Sequence, residues 1–232
     1  YRTAAGLADI PGLVHGFGTA AWGPEEVAAM AARAGFRAVL LKQIHSDAVH
    51  VIDADNVGRA AASPLPGDAL VTALPGVLLV VKTADCLPVF LVDEARRVVA
   101  AVHCGWRGTL RRILERTLAV LGDRFGAPSE GLWAALGPCI GSECYEVGPE
   151  VRAAFDDGGF SDTLFRDSPG RPGRALFDLR GANLASLRAA GLAPSRIIAD
   201  DACTRCDPRL LSFRRDKNKD ARMASFLGFL PS

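Results

Sequence analysis

Three apolar segments follow one another in residues 77–103, VLLVVKTADCLPVFLVDEARRVVAAVH. Each has the length and the β-branched content of a strand, and they cover Val77–Lys82, Val89–Val92 and Arg97–Val102. Because only short links separate them, the sequence predicts an antiparallel meander. Cys86, just past the first strand, and His103, after the third, would then emerge at the same edge of the sheet.

Helical and strand patterns both surround this meander. Helices are predicted from Pro24, over 109–121, near 149–156 and near 180–190, and strands at 38–44, 48–52, 132–136, 195–199 and 221–227. Residues 157–173 have the weakest pattern and are predicted to form an insertion loop. The chain contains no internal repeat and no long linker, which favours a single domain.

The composition excludes several classes of protein. The 232 residues carry 27 Lys and Arg against 26 Asp and Glu, and 49% are hydrophobic, which is typical of a globular chain and not of a disordered one. The net charge of +1 gives no reason to expect nucleic acid or an acidic membrane surface as a partner. The apolar runs are too short to span a membrane and no leader pattern is present, so the cytoplasm is the expected location.

A thiol and an imidazole at one sheet edge suggest either two metal ligands or a nucleophile and its base. His45, which ends another predicted strand, is the obvious third member. Two histidines and one cysteine suit zinc and leave one coordination position open, as catalytic sites do. From spacing alone, a small core cysteine and ordinary hydrogen-bonded histidines are the commoner explanation.

The turn after His103 suggests an anion site. Gly105 and Gly108 flank Arg107 just before the predicted helix, and such a turn offers free N–H groups to an anion. Arg107 adds a guanidinium suited to phosphate or carboxylate. A plain glycine-capped turn with a solvated Arg107 explains the same residues.

Other motifs are weaker. Cys203 and Cys206 have CxxC spacing, but no second pair completes a structural zinc site, so two cysteines in a turn are expected. The loop that ends in Cys144-Tyr145-Glu146 would place a thiol or a carboxylate near a pocket. Arg214 and Arg215 belong to a basic run interleaved with aspartates, which is typical of a solvated surface but would also bind an anion.

Six motifs, taken in order, identify a family resemblance. They are Lys42–Ser46 (KQIHS), Gly67–Thr72 (GDALVT), Thr83–Pro88 (TADCLP), Val102–Gly108 (VHCGWRG), Gly137–Val147 (GPCIGSECYEV) and Ser212–Asp216 (SFRRD). Over nearly its whole length the chain resembles the YfiH/YlmD family. Members of this family are labelled polyphenol oxidase (laccase), peptidoglycan editing factor and purine nucleoside phosphorylase.

The resemblance implies a fold and a function. The implied fold is α+β, with layered mixed and antiparallel sheets flanked by helices in one catalytic domain over residues 1–232, similar to the catalytic domain of the cytotoxic necrotizing factors. The implied cofactor is Zn²⁺ on His45, Cys86 and His103. The implied activity is phosphorolysis of adenosine, inosine and methylthioadenosine, with some adenosine deamination, so the partners are purine nucleosides and phosphate. The oligomeric state is left open.

Two single positions and one short stretch depart from the family pattern. Cys104 stands where Ala is usual, Lys217–Ala221 replaces a glycine-rich stretch, and Ala20 replaces an Arg. None of these departures affects the three metal ligands that the resemblance implies.

Chemistry suggests roles for further residues. We expect phosphate near Arg107 and the 105–109 turn, with zinc orienting phosphate or substrate, and Asp85 or Glu146 moving a proton in deamination. The number of histidines excludes a multicopper laccase. A blue-copper centre takes two histidines and one cysteine, and of the four histidines in the chain only two would then remain for the further coppers that such an oxidase requires. Any phenol oxidation would be adventitious copper chemistry.

Two other classes of function stay open. Cys86 as thiolate nucleophile and His103 as its base would make a cysteine hydrolase that cleaves an amide in a peptidoglycan precursor. A purely structural zinc site would instead make the chain a non-enzymatic binding factor. Measuring the metal content of the protein and the effect of a chelator would distinguish these two functions from that of a phosphorylase.

Overall fold

The computed structural model describes residues 1–231. In that range the helices are α1 Ala5–Ala8, α2 Pro24–Arg33, α3 Val57–Ala62, α4 Trp106–Leu110, α5 Ile113–Phe125, α6 Pro149–Asp157, α7 Leu179–Ala189 and α8 Phe213–Asp216. The strands are β1 Leu13–Gly16, β2 Arg37–Lys42, β3 Val49–Ile52, β4 Leu65–Pro66, β5 Ala69–Thr72, β6 Val77–Thr83, β7 Leu87–Asp93, β8 Val98–Cys104, β9 Trp133–Leu136, β10 Glu146–Val147, β11 Phe165–Asp167, β12 Ala175–Phe177, β13 Ile197–Ala199 and β14 Met223–Phe229. Short 3-10 turns cover Ser129–Gly131, Asp162–Leu164 and Pro194–Arg196. Among residues 1–231 no helix combines the length and apolar character that a membrane crossing requires.

Two sheets form the centre of the structure. The six-stranded sheet has the order β13-β9-β7-β8-β5-β3, and the five-stranded sheet has the order β1-β14-β6-β2-β4. In the first sheet β7 and β8 are buried along their whole length and pair antiparallel, as predicted. Their continuous apolar runs are typical of strands that are covered on both faces.

Helices cover the outer face of each sheet. Between the sheets lies an apolar layer that includes Leu79 of β6 and Phe90 of β7. On the outer faces, α2 packs Val27 on the five-stranded sheet, and α5 and α7 pack Leu114 and Leu187 on the six-stranded sheet. This layering confirms the predicted α+β fold of mixed sheets flanked by helices. The extent of one catalytic domain over residues 1–232 stays a prediction.

The predicted meander is wrong at its first strand. β6 pairs with β14 and β2 in the five-stranded sheet and not with β7, so the link between β6 and β7 crosses from one sheet to the other. The first five residues of β6 are all buried, and such a run suits either sheet. Cys86 nevertheless meets His103, because the β7–β8 register sets Leu87 opposite Cys104 and Pro88 opposite His103.

Two further predictions need correction. The helix predicted over 109–121 is two helices, α4 and α5, because Arg112 between them has a left-handed φ of 63°. The segment 157–173, predicted as a loop, contains β11, which forms a three-stranded antiparallel sheet with β12 and β10. This small sheet is held by aromatic contacts of Phe165 and Phe177 with Phe155 of α6.

Candidate active site

His45, Cys86 and His103, here named the metal-ligand group, come together in the structure. Their ligand atoms all lie within 4.8 Å of one another, close enough to share one ion. His45 follows β2 of the five-stranded sheet, whereas Cys86 precedes β7 and His103 lies in β8 of the six-stranded sheet. The metal-ligand group therefore connects the two central sheets.

A buried carboxylate orients this group. Asp68, just before β5, is fully buried, and its Oδ1 lies 2.8 Å from Nδ1 of His103. Its oxygens also accept the backbone N–H groups of Ser46 at 2.6 Å and His45 at 3.1 Å. Burial alone would raise the pKa of Asp68, but the hydrogen bonds from His103 and Ser46 lower it to about 2. An ionised carboxylate only accepts, so Nδ1 of His103 donates to Asp68, and Nε2 is the nitrogen that would bind a metal after giving up its proton.

Without a metal, the pKa shifts of Cys86 and His103 favour a thiolate paired with an imidazolium. Burial would raise the pKa of Cys86, but the charge of His103 and hydrogen bonds from His103 and His45 lower it to about 6. Burial would lower the pKa of His103, yet the Cys86 thiolate and Asp68 raise it to about 9. A cysteine must be ionised to act either as a metal ligand or as a nucleophile.

The surroundings of the metal-ligand group fit a metal ion. Two imidazoles and a thiolate are a donor set that zinc and copper accept, and three ligands leave a fourth position open. Gly105 keeps space beside the sulfur, because a Cβ there would lie 3.1 Å from both Cys86 Sγ and His45 Cδ2. His45 has a left-handed φ of 57°, a strained conformation of the kind found at functional sites.

A cavity of about 830 Å³ opens beside the metal-ligand group, within the size range of small-molecule sites. Three aromatic and six cationic side chains line it, against two carboxylates. The aromatic residues are Trp106, Tyr145 and Phe213, and the cations are Lys42, Lys82, Arg107, Arg214, Lys219 and Arg222. Such a lining fits a ligand that has a flat ring and an anionic group.

The structure brings Arg107, Asp85 and Arg214 to this cavity. The Arg107 guanidinium lies over the Trp106 ring, 4.3 Å from its centroid. Asp85 has a left-handed φ of 88° and accepts the Thr204 hydroxyl on Oδ1 and the Arg214 N–H on Oδ2, each at 2.6 Å. Because both carboxylate oxygens are engaged, the geometry favours a positioning role for Asp85 over proton transfer.

Two residues predicted near the site lie elsewhere. The Arg215 guanidinium donates to the carbonyls of Leu210 at 2.7 Å and Thr204 at 3.0 Å, so it holds its own loop together instead of lining the cavity. The Glu146 carboxylate accepts the Ser168 hydroxyl at 2.7 Å and is likewise absent from the cavity wall. Neither the predicted anion contact of Arg215 nor the predicted proton transfer by Glu146 is supported by this placement.

The glycine turn also differs from its predicted role. The helix after it, α4, begins at Trp106 and has five residues, which gives little dipole to hold an anion. A Cβ on Gly108 would lie 3.1 Å from the Ser46 carbonyl oxygen, so Gly108 packs against backbone and not against the cavity. Gly105 borders the metal-ligand group, as described above. Of this turn, Arg107 and Trp106 face the cavity.

Sequence reasoning missed the contribution of Asp68 and of two cavity lysines, Lys42 and Lys82. Asp68 lies within a quoted motif, but 35 residues separate it from His103, and no local pattern names its partner. Lys42 and Lys82 come from β2 and β6, which are parallel neighbours. The observed sheet order places these two lysines on neighbouring strands. The predicted meander instead paired β6 with β7, so it did not indicate that the lysines are neighbours.

Known proteins resemble this chain over most of its length. The family model described as multi-copper polyphenol oxidoreductase laccase matches residues 24–230. A purine nucleoside phosphorylase from Deinococcus radiodurans is 40% identical over 207 residues, which are 88% of this chain and 76% of that protein. Adenosine deaminase RL5, from an unknown prokaryotic organism, is 41% identical over 175 residues, which are 73% of this chain and 66% of that protein.

Two crystal structures share the fold. YlmD from Geobacillus stearothermophilus has a TM-score of 0.84 and 28% identity, and the match covers 95% of this chain and 93% of that one. The Bacillus licheniformis hypothetical protein YfiH has a TM-score of 0.84 and 26% identity, with 94% and 92% covered. Sequence and structure thus agree with the predicted resemblance, and the chain belongs to the YfiH family.

Proposed function

We propose that this chain is a zinc-dependent purine nucleoside phosphorylase with accompanying adenosine deaminase activity. The observation that carries the proposal is a group of three potential metal ligands that opens on a cavity lined by aromatic and cationic side chains. Relatives named purine nucleoside phosphorylase and adenosine deaminase support the same substrate class. Adenosine, inosine and methylthioadenosine are the proposed substrates, since each combines a purine with a ribose.

The aromatic wall of the cavity would hold the nucleoside. Trp106, Tyr145 and Phe213 offer ring faces and edges on which a purine can stack. Thr83 also lines the cavity, and its buried hydroxyl has no hydrogen-bond partner within residues 1–231. A ribose hydroxyl at this point would satisfy it.

The cationic side chains would hold phosphate. Arg214 is fixed in place because its guanidinium donates to the Glu146 carbonyl at 2.8 Å and its backbone N–H donates to Asp85. Arg107 is exposed at the cavity and rests on Trp106. Guanidinium groups bind phosphate through paired hydrogen bonds, and the lysines add positive charge around it.

Phosphorolysis moves the ribose from the base to phosphate. A phosphate oxygen attacks C1′ of the ribose, the C1′–N9 bond breaks with its electron pair on the purine, and the purine takes up a proton. Arg107 and the neighbouring cations would hold the phosphate in line with C1′. Burial raises the pKa of Tyr145, so its hydroxyl keeps the proton and can donate a hydrogen bond to the departing base.

When bound, a zinc ion on the metal-ligand group supplies Lewis-acid chemistry at its open position. The chain's own part is to prepare the ligands. Asp68 fixes the ring of His103, and Gly105 leaves room beside Cys86. Lys42 and Lys82 on the adjacent strands raise the positive potential at the same place.

The test is chromatography of adenosine incubated with the purified protein, with and without phosphate, beside a Cys86→Ala variant. We expect adenine that depends on phosphate and disappears in the variant. Inosine that forms without phosphate would show deamination as the main activity. If a zinc-loaded sample yields neither product, the nucleoside assignment is wrong.

The proposed phosphate contact has its own test. Arg107→Ala should raise the KM for phosphate by about ten- to a hundredfold, the effect of losing one or two charge-assisted hydrogen bonds. The KM for adenosine should change little. Arg124→Ala, an exposed arginine on α5, serves as the control for loss of surface charge. An unchanged KM for phosphate in Arg107→Ala would remove Arg107 from the site.

A cysteine hydrolase is a second candidate, because His103 holds Cys86 as a thiolate in the metal-free protein. Cys86 would attack an amide carbonyl of a peptidoglycan precursor, and His103 would give its proton to the leaving amine. Water would then hydrolyse the Cys86 thioester, releasing the carboxylic acid and returning a proton to His103. Chelated protein should then cleave such an amide and lose activity when its thiol is alkylated. Activity on nucleosides that requires metal, without amide cleavage, would eliminate this candidate.

A further inference from the structure

A second group of potential ligands lies outside the site described above. Cys144, Cys203 and Cys206, here named the thiol cluster, have sulfur atoms within 4.8 Å of one another. The Cys144 and Cys206 sulfurs are 3.3 Å apart, and 62 residues separate them in the chain. Cys144 ends a turn that follows β9, whereas the CxxC pair lies in the turn after β13. The fold thus supplies the third cysteine that the CxxC motif lacks.

The backbone around Cys203 is arranged to stabilise a thiolate. The N–H of Gly141 donates to Cys203 Sγ at 3.1 Å, and a Cβ on Gly141 would lie 3.3 Å from that sulfur. Cys139 and Cys203 form an isolated β-bridge, which holds the two segments side by side. The Gly141 N–H is therefore aimed at the sulfur that would carry the thiolate charge.

The spacing of the sulfurs suits one tetrahedral ion. Thiolates about 2.3 Å from zinc in tetrahedral geometry lie about 3.8 Å from one another. The thiol cluster is compatible with this value, because the Cys144 and Cys206 sulfurs are 3.3 Å apart and no separation exceeds 4.8 Å. A set made only of thiolates favours a soft cation, whereas the metal-ligand group also contains imidazole.

We propose that Cys144, Cys203 and Cys206 form a second metal site, which binds Zn²⁺ or a cation of similar softness. Cys206 is exposed and the other two are half-buried, so the fourth position faces solvent and takes water or a small exogenous ligand. A disulfide between Cys144 and Cys206 would use two of the three sulfurs. Cys203, whose sulfur accepts the Gly141 N–H, would then be left as a single thiol with no bonding partner among the cysteines.

The second site is placed to stabilise one wall of the cavity. Thr204 lies between the two cysteines of the CxxC turn, and its hydroxyl donates to Asp85 at 2.6 Å. Asp85 precedes Cys86 and also accepts the backbone N–H of Arg214. An ion in the thiol cluster would therefore hold the turn that positions Asp85. Its function is structural, and it does not depend on the reaction proposed above.

The test uses a background without the first site. Reduced Cys86→Ser protein should bind one equivalent of zinc by elemental analysis, and cobalt in its place should show thiolate-to-metal charge-transfer absorption. Adding Cys144→Ser and Cys206→Ser should abolish both signals. Cys104→Ala in the same Cys86→Ser background removes a buried cysteine outside the cluster and should leave them unchanged.

A milder variant covers the case in which the triple variant does not fold. Because Cys206 is exposed, Cys86→Ser with Cys206→Ser should stay folded by circular dichroism and bind cobalt at least about tenfold more weakly. The proposal is wrong if folded, reduced Cys86→Ser protein binds no metal. It is also wrong if mass spectrometry finds a Cys144–Cys206 disulfide in protein purified without reductant and metal is absent.

Discussion

Asp68 does not belong to the metal-ligand group, yet that group depends on it. Its ionised carboxylate holds the proton of His103 on Nδ1 and anchors the backbone of His45, so it fixes two of the three ligands. Asp68→Asn should lower zinc affinity by about ten- to a hundredfold, as loss of such outer contacts does, measured by competition with a chelator. Asp47→Asn is the matched control, because the carboxylate of Asp47 pairs with Arg116 at the surface. Equal affinities in the two variants would contradict this role.

The pKa of Cys86 predicts how the metal-free protein reacts with alkylating agents. A thiol whose pKa is lowered to about 6 is mostly thiolate above pH 6 and loses that form as the pH falls below 6. Alkylation of Cys86 in chelated protein, followed by peptide mapping, should therefore be half-maximal near pH 6, and zinc should protect it. Burial raises the pKa of Cys104, which should stay unmodified. A rate that rises only above pH 8 would show that His103 does not stabilise the thiolate.

His45, Cys86 and His103 stood out in the sequence because each lies at the end or start of an apolar segment. This rule picked out the three residues, whereas their role as metal ligands was implied by the family resemblance, because the meander that grouped Cys86 with His103 was wrong at its first strand. Asp68 and Cys144 were not predictable in the same way, because their partners are distant in sequence. Long-range pairing, and not local pattern, decides which of several polar residues meet.

The strand β7 carries much of the core between the two sheets. Phe90 in this strand is fully buried and stacks on Phe17, with ring centroids 4.5 Å apart. Phe90→Ala should lower the free energy of unfolding by about 3–5 kcal/mol, because it removes a large buried side chain and leaves a cavity. Denaturant titration measures this change. Phe213→Ala, at a 40% exposed position, should change stability by no more than about 0.5 kcal/mol. A similar loss in both variants would refute the assigned packing.

The error in β6 shows what strand patterns leave undecided. The existence of β6, β7 and β8 was predicted within a few residues, and the β7–β8 pair was confirmed. The pairing partner of β6 was not predicted correctly. A strand that is buried on both faces has no alternation of apolar and polar residues that would assign it to one sheet. In addition, the link between β6 and β7 is as short as a hairpin turn although it crosses between sheets. Short links therefore do not prove pairing when two sheets pack closely.

The metal-ligand group joins the two central sheets, so metal binding should stabilise the packing of the whole molecule. At a zinc concentration a hundred times the Kd, binding to the folded state adds about 2.7 kcal/mol to the free energy of unfolding, or roughly 5–10 °C in melting temperature. The measurement belongs in a Cys144→Ser, Cys206→Ser background, where the thiol cluster cannot contribute. Calorimetry should show this rise with zinc, and it should vanish when Cys86→Ser is added, because one sulfur of the bridge between the sheets is then lost. The same rise with and without Cys86 would mean that zinc stabilises the protein elsewhere and that the two sheets are held by their apolar layer alone.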